Sequence, residues 1–199
     1  MSVFVLWEDR AISPIAKFGP HAFLTACVAQ RLGQDRHALR RSERLDGKSC
    51  AGNANVLREL QRPPLWDTGV HVVAVLDTDK VHHRVPSITA RSAVAEHELA
   101  RWADEVTAAI RSGAPSDART RLDVCFLDRN LETLIALAGR GHPQLKQALG
   151  KDLLARDKLL YRAAADDALP AQICAAMPSW DHLVATAALH LARHREPAS

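Results

Sequence analysis

Two carboxylates separated by one residue follow an apolar run in the segment VHVVAVLDTDKVHH, residues 70–83. In an extended or turn conformation, Asp77 and Asp79 aim at one point, and clustered carboxylate oxygens suit a hard cation such as Mg²⁺ or Mn²⁺. The alternative is a solvated turn after a buried strand, which is the commoner setting for an isolated Asp-x-Asp. The histidines that follow, His82 and His83, either contact a substrate or belong to a polar loop.

Further acids stand at the ends of the other strongly apolar runs. Glu8 follows VFVLW, and Asp128 follows VCFL. Glu132 stands in the first turn of a predicted helix, where it either favours the helix dipole or reaches the same group of acids. Because several acids at one place repel one another unless a cation or a proton offsets them, their arrangement favours a metal site more than any single acid does.

These acids meet only if parallel strands position them. Strands are predicted at residues 2–7, 70–76 and 121–128, with a weak polar edge strand over 38–45. Helical spacing predicts helices over 22–32, from Asn53 or Asn55 to the prolines at 63–64, and from Ser92 to Gly113. This alternation indicates an α/β fold with a mainly parallel four-stranded sheet flanked by helices. The carboxyl ends of parallel strands share one edge, where sites form, so we expect the acids there.

The chain after residue 130 is predicted to be helical, and its last helix starts at Pro178 and Ser179. We therefore expect an α/β domain over residues 1–130 and an α-helical C-terminal extension over 131–199 that packs on it. Part of one helical face would remain for a partner.

Composition narrows the class of protein. The 199 residues are 47% hydrophobic and 25% charged, as in ordinary globular domains. No apolar run is long enough for a membrane span, and the N-terminus lacks the features of a signal peptide. The cysteines Cys27, Cys50, Cys125 and Cys174 have no C-x-x-C spacing. They are predicted to be buried free thiols of a cytoplasmic protein rather than disulfides or zinc ligands.

A basic segment over residues 31–62 is a candidate nucleic-acid surface. The side chains that would follow a phosphate backbone are Arg36, Arg40, Arg41, Arg44 and Lys48. A solvated face is the alternative. Within this segment Gly47-Lys48-Ser49 does not fit a phosphate-binding P-loop, because position 42 is Ser where that motif needs Gly, and an ordinary loop is predicted.

The order of these elements resembles the TOPRIM domain, the catalytic module of topoisomerases, bacterial primases and overcoming-lysogenization-defect nucleases. VFVLWED with Glu8 and VVAVLDTD with Asp77 and Asp79 carry the resemblance, which covers residues 2–130. The later segments FLDRNLETLIAL and MPSWDHLVATAALHLA are similar to small stand-alone TOPRIM-like proteins, whose relatives often accompany ATPases in bacterial anti-phage systems. The chain departs from the pattern at Asp9, where many TOPRIM domains have the more flexible Gly.

The resemblance implies a metal-dependent nuclease or nicking subunit that acts on DNA or RNA. Asp77 and Asp79 would hold Mg²⁺ or Mn²⁺, and Glu8 would serve as general acid/base or as a further ligand. Glu132, with Asp128, would complete a second metal site.

The implied partners are a nucleic acid and a protein such as an ATPase, and self-association is a further expectation. Lys80, Lys151 or Lys158 would neutralise phosphate charge, and no motif chooses among them.

Two other functions stay open at this point. The first is a catalytically degenerate TOPRIM-like protein-interaction module, whose acids are remnants. The second is a phosphoryl-handling hydrolase, since a strand that leads into Asp-x-Asp also opens haloacid-dehalogenase sites. In those enzymes the nucleophilic Asp normally follows the first strand, which Asp77 does not.

Overall fold

The computed structural model describes residues 2–11, 14–79, 81–85, 88–127, 130–141 and 152–193. In these residues four strands form one parallel sheet in the order β2-β1-β3-β4. The strands are β1 (Val3–Trp7), β2 (Leu45–Ser49), β3 (His71–Asp77) and β4 (Leu122–Leu127). The predicted parallel α/β sheet with a helical C-terminal part is therefore confirmed.

Helices cover both faces of this sheet. They are α1 (Gly19–Arg31), α2 (Arg36–Arg41), α3 (Asn53–Leu60), α4 (Pro63–Asp67), α5 (Leu99–Gly113), α6 (Asn130–Gly141), α7 (Leu153–Ala163), α8 (Leu169–Ala176) and α9 (Pro178–Ala192). None of the described helices is both long and apolar enough to cross a membrane.

The two faces have separate hydrophobic cores because side chains alternate along a strand. Val5, Trp7 and Val75 pack with α1, α2 and α6 to α9. Leu6 and Leu76 pack with α3, α4 and α5 on the other face. The chain leaves β1 towards the first face and leaves β3 towards the second. The carboxyl ends of these neighbouring strands therefore border the crevice in which open α/β sheets bind ligands.

The last helix is anchored by aromatic side chains. Trp180 of α9 is fully buried, and its ring stacks on Trp7 of β1 with centroids 6.2 Å apart. Its indole Nε1–H points at Cys27 Sγ, 3.5 Å away. The four cysteines are free thiols, of which Cys174 alone is only partly buried, in agreement with the sequence-based expectation. The C-terminal helices thus belong to the same core as β1, while the division at residue 130 stays a prediction.

Three local predictions were wrong, and two of them concern where an element begins. The segment predicted as an edge strand over 38–45 starts with α2, because the Asp35 side chain accepts a hydrogen bond from Ala38 N–H at 2.7 Å and caps that helix. The edge strand follows, at Leu45–Ser49. The helix expected from Ser92 begins at Leu99, after two 3₁₀ turns at Arg91–Ala93 and Glu96–Glu98.

Gly47-Lys48-Ser49 lies in β2, not in the predicted loop. A Cβ atom at Gly47 would come within 2.6 Å of the Val5 carbonyl oxygen and 3.2 Å of the His21 ring. Close packing against β1 and α1 therefore explains the glycine.

Candidate functional site

The carboxyl ends of β1 and β3 are joined by a side chain. Trp7 is paired with Val75, so that Glu8 continues beside the end of β3. The Glu8 N–H donates to the Val75 carbonyl at 3.2 Å, and Glu8 Oε2 accepts from the Asp77 backbone N–H at 2.7 Å. The predicted neighbours Glu8 and Asp77 are thus brought together at the crevice.

The Asp-Thr-Asp segment forms a turn that continues this edge. The Asp79 N–H donates to Asp77 Oδ1 at 3.2 Å, which is the local bond of an Asx turn. Asp79 is exposed, whereas Thr78 between the two acids is buried. The turn that was one of the two alternatives for Asp-Thr-Asp is therefore present, and the Glu8 carboxylate contacts the backbone of its first residue.

A buried arginine from the C-terminal part reaches the same edge. Arg156 of α7 donates to the Arg10 carbonyl at 3.0 Å, and its guanidinium lies 3.6 Å from Asp9 Oδ1. It also donates to Asp157 Oδ1 at 3.1 Å. Burial raises the pKa of Asp9 to about 6; the charge of Arg156 opposes this shift, and the charge of Asp77 adds to it.

Buried polar atoms without a hydrogen-bond partner concentrate at this edge. In the described part of the chain they are Thr78 Oγ1, His82 Nδ1 and Asp157 Oδ2. Thr78 and His82 belong to the segment after Asp77, and Asp157 follows Arg156. Such atoms are uncommon in folded proteins and call for an explanation such as an ordered water, an ion or a substrate.

In the part of the chain that it describes, the structure does not bring the other predicted site residues together with Glu8 and Asp77. Glu132 is an exposed residue in the first turn of α6, on the connection that leaves β4. Asp128 lies outside the described residues, as do Lys80 and Lys151. Lys158 is exposed on α7. Within the described ranges, no three of the carboxylates of this edge offer ligand atoms within 4.8 Å of one another.

The predicted nucleic-acid surface is largely engaged in contacts within the protein. Arg36 donates to the Ala164 carbonyl at 2.8 Å, and Arg44 donates to the Leu191 carbonyl at 2.7 Å. Arg40 donates to the Tyr161 hydroxyl at 2.9 Å, and Lys48 pairs with Glu59 at 2.9 Å. Arg41 is exposed at the end of α2. Three of these side chains therefore hold α2 and β2 against the C-terminal helices.

A second polar cluster, missed by the sequence-based predictions, lies at the opposite, amino edge of the sheet. Asp123 of β4 accepts hydrogen bonds at Oδ2 from His71 Nε2 at 2.7 Å and His190 Nε2 at 2.8 Å. Arg111 donates to Asp123 Oδ1 at 3.0 Å. Burial alone would raise the pKa of Asp123, but the two histidines outweigh it and lower the pKa to about 2.

A weak signal for this cluster exists in the sequence. His71 and Asp123 interrupt the apolar runs of two strands that are otherwise buried, and parallel pairing puts them near the same end of the sheet. The third member, His190, lies 67 positions after Asp123 in the last helix. Only the packing of α9 on the sheet brings it there.

No protein-family model matches this chain, and neither a curated protein nor a solved structure does. The TOPRIM resemblance stays a prediction from sequence motifs.

Proposed function

We propose that this protein is a divalent-metal-dependent nuclease or nicking subunit with a TOPRIM-like site that cleaves phosphodiester bonds of DNA or RNA. The observation that carries the proposal is the 2.7 Å hydrogen bond from Asp77 N–H to Glu8 Oε2. It fixes Glu8 beside the Asp-Thr-Asp turn at the crevice between β1 and β3. Parallel α/β sheets bind their ligands at this position.

The chemistry of the donors fits a hard cation. The edge offers carboxylate oxygens, which Mg²⁺ and Mn²⁺ prefer, and the unpaired Thr78 Oγ1 lies between the two acids of the turn. Asp77 and Asp79 would hold the ion, and Glu132 with Asp128 would serve a second one. A bound ion would supply a polarised phosphate group and an activated water molecule.

The residues of the chain have separate tasks in this proposal. The Asp77 N–H orients the Glu8 carboxylate, which then accepts or returns a proton during cleavage. Arg156 holds the Glu8–Arg10 segment through the Arg10 carbonyl. Its positive charge also offsets the repulsion between Asp9 and Asp77, which lets the acids stay close before substrate binds.

The test compares cleavage of supercoiled plasmid, single-stranded DNA and RNA in Mg²⁺, in Mn²⁺ and in EDTA. We expect metal-dependent cleavage by the wild type that falls by about 100-fold or more in Asp77→Asn and in Glu8→Gln. Asp67→Asn is the matched control, because Asp67 is an exposed acid at the end of α4, away from the crevice. Equal cleavage by Asp77→Asn and Asp67→Asn, or cleavage that persists in EDTA, would contradict the proposal.

A catalytically degenerate interaction module is the second candidate. The internal contacts of Arg36, Arg40 and Arg44 favour it, because they occupy side chains that a nucleic-acid track would need. The exposed apolar side chains of Leu154 and Tyr161 on α7 would suit a protein contact. The TOPRIM resemblance implies an ATPase of an anti-phage complex as partner and the cytoplasm as location. Partner binding without cleavage, unchanged in Asp77→Asn, would support this candidate over the nuclease.

A further inference from the structure

Three ligand atoms converge at the amino edge of the sheet, away from the proposed nuclease site. His71, Asp123 and His190 each offer an atom within 4.8 Å of the other two, and the described residues contain no other such group of three. Both histidine Nε2 atoms approach the same atom, Asp123 Oδ2. Their rings lie face to face, with centroids 3.3 Å apart and planes 17° apart.

The donor set determines which ion would fit. Two imidazole nitrogens and one carboxylate oxygen suit Zn²⁺, Co²⁺ or Ni²⁺, whereas Mg²⁺ and Ca²⁺ prefer oxygen alone. Ligand atoms of a tetrahedral zinc ion, at bonds of about 2.0–2.1 Å, lie about 3.3 Å apart. The present separations from Asp123 Oδ2 are 2.7 and 2.8 Å, so the ligand atoms need to part by about half an ångström.

The residues around the cluster provide the outer hydrogen bonds and the burial that hold metal ligands in place. Arg111 holds Asp123 Oδ1 and leaves Oδ2 directed at the histidines. Outer hydrogen bonds of this kind orient ligands and increase metal affinity. The side chain of His71 is only 5% exposed, whereas that of Asp123 is 29% exposed. The ligands are therefore held from the protein side, while an ion and a water ligand have an entry path.

We propose that His71, Asp123 and His190 bind one transition-metal ion of the Zn²⁺ class. When the ion binds, the proton of each neutral imidazole moves from Nε2 to Nδ1, so that the Nε2 lone pairs face the ion, and a water molecule completes the coordination. Since the ligands come from β3, β4 and α9, the ion ties the last helix to the sheet. It is chemically distinct from the hard cation of the proposed nuclease, which the carboxylates of the opposite edge would select.

The experiment titrates chelator-treated full-length protein with Zn²⁺ and, separately, with Co²⁺. We expect one ion per chain, a visible Co²⁺ spectrum of a four-coordinate nitrogen and oxygen site, and a rise in Tm of about 5–10 °C at Zn²⁺ 100-fold above its Kd. Mg²⁺ at the same concentration should leave Tm unchanged. His190→Gln should weaken binding at least about 10-fold, and Arg111→Gln about 10- to 100-fold.

Matched variants distinguish the loss of a metal ligand from a loss of folding. His190→Cys retains a ligand and should retain binding, with an added thiolate-to-Co²⁺ charge-transfer band, even if its Tm falls. A double variant His82→Gln/His83→Gln removes the imidazole pair that follows the carboxyl end of β3, whose ring centroids are 4.0 Å apart, and should bind as the wild type does. No Co²⁺ spectrum in the wild type, or an unchanged spectrum in His190→Gln, would overturn the proposal. Asp77→Asn should still bind Zn²⁺, so the two proposals are tested independently and the metal site can be confirmed even if no nuclease activity is found.

Discussion

The two edges of the sheet treat their polar groups in opposite ways. At the amino edge, both oxygens of Asp123 are bonded, Oδ2 to two histidines and Oδ1 to Arg111. At the carboxyl edge, Thr78 Oγ1 and His82 Nδ1 are buried without a partner. An unpaired buried polar atom costs about 1–3 kcal/mol, whereas a bonded one does not. The polar groups of the amino edge are therefore satisfied within the protein, whereas the carboxyl edge contains buried polar atoms that no group of the described residues satisfies, as the proposed substrate site would require.

The largest expected effect would abolish the proposed cleavage activity of the carboxyl edge without unfolding the protein. Asp77→Asn should lower metal-dependent cleavage by about 100-fold or more, because it would remove the charge of a proposed metal ligand where phosphate charge must be offset. Its free energy of unfolding should change by less than about 1 kcal/mol, since one of several mutually repelling acids is neutralised. Cleavage rates and urea denaturation measure the two quantities. A large loss of stability would place Asp77 with the structural residues instead.

A buried histidine that belongs to neither edge provides the next largest effect. His21 is 4% exposed and accepts a hydrogen bond at Nδ1 from Trp7 Nε1, at 3.2 Å. Burial lowers its pKa from 6.5 to about 4. The unfolded chain therefore binds more protons between these pH values, and the free energy of unfolding falls as the pH drops from 6.5 to 4, by up to about 3 kcal/mol.

Urea denaturation between pH 7.5 and 4 tests this dependence. His21→Gln, which cannot titrate, should show a shallower decline than the wild type, even if its stability at pH 7.5 is lower. His37→Gln is the control, because His37 is an exposed histidine of α2. An equally steep decline in His21→Gln would contradict the prediction, because it would show that other groups cause the loss of stability at low pH.

In the absence of a bound metal, substitution at the amino edge should change stability but not the proposed cleavage. Asp123→Asn removes the charge shared by two histidines and Arg111, and we expect a loss of about 2 kcal/mol in the free energy of unfolding at pH 7. Cleavage per folded molecule should stay within about twofold of the wild type. Urea denaturation in the presence of EDTA isolates the hydrogen-bonded cluster from any metal effect. A stable variant with impaired cleavage would erase the distinction between the edges.

The smallest expected effect tests directly whether an unpaired buried hydroxyl costs stability that a bonded one does not. Thr78→Val removes an unpaired buried hydroxyl at nearly constant volume, so it should stabilise the protein by about 1 kcal/mol and reduce cleavage. Thr25→Val is the matched control, since the buried Thr25 Oγ1 donates to the His21 carbonyl at 2.8 Å. It should destabilise by about 1 kcal/mol. If both valines shift stability in the same direction, the unpaired hydroxyl has no special cost.

The sequence predicts the positions of the buried strands better than it predicts the contacts between distant segments. Apolar runs place β1, β3 and β4 within one or two residues, because strands buried on both faces leave an unbroken pattern. Parallel pairing then predicts the proximity of Glu8 and Asp77. The edge strand was misplaced, since the cap at Asp35 outweighed a weak alternation.

The contacts that the C-terminal helices make with the sheet could not be predicted from the sequence patterns. Arg156 and His190 lie in ordinary amphipathic or apolar helices, and nothing in their spacing shows which face of the sheet each helix covers. Their partners, the Arg10 carbonyl and Asp123, become adjacent only through tertiary packing. The amino-edge cluster and the buried arginine at the carboxyl edge therefore emerge from the structure alone.

The anchoring of the first strand by the last helices has a consequence for synthesis. Arg156 meets the Arg10 carbonyl across 146 positions, and Arg44 meets the Leu191 carbonyl across 147. Contacts this distant close large loops, and domains made on the ribosome start from their N-terminus. The hydrophobic face of β1 that carries Trp7 therefore lacks the part of its cover that the C-terminal helices supply until Trp180 has left the ribosome. A chain that ends before α7 should therefore expose this apolar surface and aggregate.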